Sequence, residues 1–188
     1  MTDAPVTAPP ALVSPRTADE PMAFTLGELW RGGLYAWLFF LMALCLWILA
    51  PMAVAPGAYM SFDLGGLFIL TFYILLFGGP ISGFAFVLAT PLAGALGTRL
   101  RRVRSRWIHL LTFAGYGALI GGTVGILYAL VLGPSGENAF ASILYFVAMS
   151  AGLTAVAAAL GWLVTVQQAF RKDAKLAAEA AGAKDPEA

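Results

Sequence analysis

Residues 64–97 run for 34 positions without one charged side chain. Residues 34–50, 108–132 and 140–166 likewise contain no Asp, Glu, Lys or Arg. Such runs are incompatible with a water-soluble domain. Of the 188 residues 60% are apolar and 11% charged, with a mean hydropathy of +0.83. Soluble proteins sit nearer half and a quarter. The solvent for most of this chain is therefore lipid, and in lipid only elements that satisfy their own backbone can span. With apolar runs this long, the fold class is all-α.

Four spans are expected. A helix over residues 26–50 measures about 37 Å, enough for a hydrocarbon core of about 30 Å, and the span itself is expected at about 34–54. Thr25 and Glu28 stand in a capping box at its start, Phe24 and Leu29 in a hydrophobic staple, and Pro51 and Pro56 are expected to end it. Residues 64–97 would measure about 51 Å as one straight helix, too long for an untilted crossing. Gly78, Gly79 and Pro80 interrupt that run, and Pro91 does so again, so it reads as one kinked or broken span. Splitting it into two crossings would carry the arginines that follow to the side opposite the other basic residues. The third and fourth spans, about 108–132 and 140–166, are joined by a short polar turn that predicts a tight hairpin. Residues 1–23, with five prolines, read as a disordered tail, and the transmembrane domain as 24–170. Residues 171–188 read as a basic helical segment ending near Gly182, then disorder.

Four spans place all 11 Lys and Arg on one side, leaving Asp63 and Glu137 on the other. The positive-inside rule then puts both termini in the cytoplasm. The ratio of eight Arg to three Lys, with abundant Ala and Gly, points to a GC-rich bacterial genome and a plasma (inner) membrane.

Three small-residue stripes recur at intervals of four: Gly117, Gly121 and Gly125 in the third span; Ala151, Ala155 and Ala159 in the fourth; Ala85, Ala89 and Ala93 in the second. Stripes of this kind let helix backbones approach closely where lipid offers no hydrophobic drive. They are candidate packing faces, the first two with each other across the hairpin, or with a second copy or a larger membrane complex. Gly78, Gly79, Pro80 and Ser82 form a candidate hinge or solute pathway, because a break at membrane depth frees carbonyls that protein or water must meet. Arg99, Arg101, Arg102, Arg104 and Arg106 are candidate contacts for anionic lipid or an acidic partner, at about 1 kcal/mol each beside a negative leaflet.

Several classes lose ground. Cys45 is the single cysteine and His109 the single histidine, placed here as an interfacial helix-start residue. Neither a disulfide nor a metal site can be assembled from them, and no cofactor motif is present. No ionisable group lies in the central part of any span, which disfavours proton relays, ion-coupled transport and intramembrane hydrolysis. Nucleic acid is not an expected partner, since the basic cluster lies against the membrane without a reading motif. Span hydroxyls such as Thr71, Ser82, Thr112, Thr123 and Thr154 are expected to bond to their own or a neighbouring helix. The sequence therefore predicts a non-enzymatic accessory or scaffold subunit that packs through small-residue faces. The alternative is a small pore or transporter subunit for a neutral or weakly polar solute, with its pathway at residues 78–82.

Overall fold

The structure, a computed structural model, describes residues 14–54, 64–133, 136 and 138–182. The first 13 residues of the expected tail, Pro56, Asp63, half of the polar turn (134, 135 and 137) and residues 183–188 lie outside the described residues. Every element described is helical: α1 Leu26–Val54, α2 Leu64–Tyr73, α3 Gly79–Leu100, α4 Arg106–Leu132 and α5 Ala139–Gly182, with a π-helical turn, Ile74–Gly78, joining α2 to α3. Four helical stretches are long and apolar enough to cross a membrane, α2 and α3 counting together as one.

Local chemistry explains most boundaries. The capping box forms at the head of α1, where the Thr25 amide donates to Glu28 Oε2 at 2.9 Å and the Glu28 amide donates to Thr25 Oγ1 at 3.2 Å. α1 passes Pro51 and ends at Val54, between the two prolines expected to end it. Pro51 forgoes the helical bond to the Trp47 carbonyl, and the helix continues through it. The π-turn lies immediately before Pro80, which has no N–H for the preceding turn. Pro91 sits inside α3 without ending it.

α5 is the hub of the bundle. On α4, a Cβ added to Gly117 would overlap the Thr154 carbonyl and lie 2.8 Å from Ala158 Cβ. One on Gly121 would overlap Ser150 and Thr154, and one on Gly125 would overlap Ser150 and lie 3.0 Å from Val147 Cα. As numbers rise along α4 they fall along α5, so the two are antiparallel. Ser150 Oγ donates across this seam to the Gly121 carbonyl at 2.8 Å. α1 packs on α5 by the same device: a Cβ on Gly161 would stand 2.7 Å from both Ala36 Cβ and the Gly32 carbonyl. Small residues at this spacing let dispersion and weak hydrogen bonds join helices.

α3 is held differently. It leans on α1 through Trp30 packed edge-on against Phe86 at 5.7 Å, and through Trp37 Nε1 donating to Ser82 Oγ at 2.9 Å. The start of α1, the end of α3, the start of α4 and the later part of α5 thus meet at one end of the bundle, and every described Lys and Arg lies there. α5 has 44 residues, about 66 Å, and outruns its neighbours at that end.

Because the α4 glycines touch backbone, Gly121→Leu is expected to destabilise the fold by about 1–3 kcal/mol, the usual cost of overpacking. Gly115→Leu, on the same helix with nothing within 4 Å of its Cβ position, is expected to be near neutral. Thermal unfolding of both variants in detergent checks the contrast.

Candidate functional site

α3 and α4 touch each other little, and a crevice of about 960 Å³ lies among α1, α3, α4 and α5. Trp37, Phe40 and Leu44 line it from α1, Ala85, Ala89, Ala93 and Gly97 from α3, Phe113 and Ile120 from α4, and Ala157 and Trp162 from α5. Volumes of this order hold drug-sized or acyl ligands. Among the described residues the only hydrogen bond between α3 and α4 is Tyr116 Oη donating to the Ala89 carbonyl at 2.6 Å. It crosses the crevice partway along.

The threonine hydroxyls of the crevice wall bond to their own helices, whereas the buried Trp162 Nε1, also part of the wall, has no hydrogen-bond partner among the described residues. Thr90 donates to the Phe86 carbonyl at 2.9 Å, Thr165 to the Gly161 carbonyl at 2.8 Å, and Thr154 to the Ser150 carbonyl. Thr71, Thr112 and Thr123 bond in the same way, each to the carbonyl four residues earlier. Such back-bonding hides hydroxyls from a passing solute.

At the basic end the crevice is bordered by Glu20 and Ala23, which belong to residues 14–23, a segment expected as disordered tail. Its order has an electrostatic cause. Arg16 lies between two carboxylates, Glu28 Oε2 and Asp173 Oδ2, each at 2.9 Å, with only 8% of its side chain exposed. Its guanidinium also stands 5.7 Å from the ring centres of Phe24 and Phe170. Cation–π contact adds to ion pairing most where water is excluded. Further along, Glu20 Oε1 meets Arg101 Nε at 3.1 Å and Arg102 Nε at 4.0 Å, and Arg104 donates to the Ala18 carbonyl at 3.2 Å. Met22 is buried, and its amide donates to the Arg101 carbonyl at 3.1 Å. The segment is a strap over the basic end.

The sequence-derived candidates fall into three groups. Gly117, Gly121 and Gly125 come together with α5, but opposite Val147, Ser150, Thr154 and Ala158; of Ala151, Ala155 and Ala159, only Ala151 comes near a glycine, Gly122. The stripe on α5 is thus one register away from the expected one, and carries the hydroxyls that reach α4. Ala85, Ala89 and Ala93 share the crevice wall, as do Gly78 and Ser82. Ser82 Oγ takes the Trp37 N–H and donates to the Gly78 carbonyl at 2.5 Å, so the break is satisfied within the protein; Gly79 is buried and Pro80 exposed beside it. Of the arginines, Arg101 lines the mouth, and Arg101, Arg102 and Arg104 engage the strap. Arg106 covers Phe170 at 5.2 Å, and Arg99 is exposed with no ion pair among the described residues.

Two features were missed. The α1–α5 contact through Gly32, Ala36, Gly161 and Thr165 was readable, since both pairs have small residues four apart. His109, expected as a helix-start residue, lies in the first turn of α4 and is fully buried, stacked on Trp162 at 5.5 Å, with Nδ1 2.9 Å from the Ser105 carbonyl. Its signal was also present: residues 109, 113, 117 and 121 recur every four on the face of α4 that meets α5.

Removing Arg16 strands two carboxylates. Arg16→Ala is expected to loosen the strap by about 3 kcal/mol, the low end for breaking a buried pair. Amide exchange at Met22 then accelerates about 100-fold; unchanged protection would show that the ion pairs do not hold the strap. Comparison with protein-family profiles, curated proteins and solved structures returns no match.

Proposed function

We propose that this protein is a non-enzymatic accessory subunit of a bacterial plasma membrane, with both termini cytoplasmic, whose working surface is the crevice between α3 and α4. The crevice itself carries this reading: an apolar space of about 960 Å³ is open beside a small-residue helix face, while the glycine face of α4 is consumed inside the chain. What fits there is an apolar partner drawn from within the bilayer. The wall's threonine hydroxyls, bonded to their own helices, favour holding over chemistry. The gathering of described Lys and Arg at one end supports the cytoplasmic assignment of that end.

One observation favours a second reading. Gly78 and Ser82 line the crevice, so a neutral solute crossing the bundle would pass the break. Against it, Ser82 is already bonded to Trp37 and to its own helix.

The test is native mass determination of the protein after mild extraction from its own membrane. Ala93→Phe, which fills the crevice, is expected to strip whatever is bound there, while Ala95→Phe, on the exposed side of α3, is expected to leave it in place. Equal retention by both would contradict the crevice as the working surface. In a Cys45→Ala background, ready labelling of Ser82→Cys by a soluble thiol reagent would move the weight to the solute pathway.

A further inference from the structure

Resting on the crevice reading, and naming its occupant, we infer that the basic half of the crevice is a binding site for one anionic phospholipid from the leaflet on that side. Three observations converge on that ligand.

The first is depth. From Arg101 at the mouth to Ala89, where the Tyr116 hydroxyl bridges α3 and α4, is 12 residues of mostly helical chain, about 18 Å. One leaflet of a hydrocarbon core of about 30 Å is about 15 Å deep. The Tyr116–Ala89 bond is therefore a bridge across the crevice at about one leaflet's depth, beyond which the same space continues past Gly78 and Leu127. It stands in the way of a transmembrane helix lying the full length of the crevice and leaves, on the basic side, a stretch that an acyl chain from one leaflet fills.

The second is the wall. Between mouth and bridge the space is lined by Leu29 and Gly33 of α1, Ala93 and Gly97 of α3, and Phe113 of α4. Gly97 has nothing within 4 Å of its Cβ position, so the space beside it is open, while one turn deeper Gly94 faces Leu29 and Ala93 meets the Phe113 and Trp162 cluster. A flexible hydrocarbon chain suits such a surface, since burial of apolar area is non-directional.

The third is charge. Arg101 forms part of the mouth with 45% of its side chain exposed, Arg102 is exposed beside it, and Arg99 stands on the last turn of α3 with no ion pair among the described residues. The carboxylate that meets Arg101 and Arg102 comes from the chain's own strap: Glu20, 27% exposed. Glu20 occupies the place of a phosphate headgroup and is its internal competitor. Its displacement needs no loss of the Arg16 pairs, which anchor the strap separately.

Native mass spectrometry of the full-length protein in micelles, titrated with dioleoylphosphatidylglycerol or dioleoylphosphatidylcholine, tests this. One phosphatidylglycerol is expected to be retained in preference to phosphatidylcholine. Arg101→Gln and Arg102→Gln should each weaken its retention about fivefold, in line with one basic residue beside an anionic surface. Ala93→Phe should abolish retention, Arg171→Gln should leave it unchanged, and inorganic phosphate should not compete. Glu20→Gln is expected to tighten binding several-fold, an effect in the opposite direction that a merely damaged fold cannot produce. Equal retention of the two lipids, or a Glu20→Gln variant that binds no better, would overturn the lipid assignment while leaving an apolar occupant in the crevice. Insensitivity of all binding to Ala93→Phe would overturn both the lipid site and the crevice reading beneath it. Displacement by inorganic phosphate would show an anion site without a lipid.

Discussion

Close backbone approach along α5 is the constraint on which the rest of this bundle depends. In lipid, helices gain nothing from hiding apolar surface, so association must come from packing density and from hydrogen bonds that cross between helices. α5 obtains both on two sides. The glycines of α4 admit Ser150 and Thr154, and Gly161 admits the backbone of α1 at Gly32 and Ala36. A methyl group at any of these four glycine positions would meet another helix at less than van der Waals distance. The hydroxyl of Ser150, donated to Gly121, adds direction to a contact that dispersion alone would leave free to slide.

The crevice follows from that arrangement. With one side of α5 occupied by α4 and another by α1, α3 rests on α1 and reaches the remainder through Ala93 and the Tyr116 hydroxyl. A helix secured mainly on one side leaves a gap on the other, and the small side chains of α3 widen it. At the basic end the strap borders the gap with groups whose charges are matched internally: Arg16 with Glu28 and Asp173, Glu20 with Arg101 and Arg102. The two pairings differ in environment. Arg16 is buried between aromatic rings, whereas Arg102 is largely exposed, and exposed pairs contribute roughly 0–1 kcal/mol. The strap is thus firmly fixed at one point and exchangeable at another.

Much of the fold was legible in the sequence because the governing signals are local. Uncharged length announces a span, Thr25 and Glu28 announce a helix start, and glycines every four residues announce a close contact. What escaped depends on partners distant in sequence. Arg16 meets Asp173 across 157 residues, and nothing near Arg16 in a proline-rich segment reveals that a carboxylate pair and two phenylalanines await it. The register on α5 was missed by one position because Ala151, Ala155 and Ala159 repeat as regularly as Ser150, Thr154 and Ala158, and periodicity alone cannot choose between adjacent faces. Pro51 by itself is a weak stop: it forgoes one helical bond, and α1 runs three residues past it. The crevice had no sequence signature at all: it is a property of how little α3 and α4 touch, and only Ala85, Ala89 and Ala93 hinted at a face without bulk.

Density from the protein embedded in its own membrane lipids tests the central claim most directly. The account predicts α3 and α4 held apart, with an elongated feature running from beside Arg101 down to the Tyr116 hydroxyl. An α3 closed against α4, with the alanine face in direct helix contact and no space between them, would contradict it.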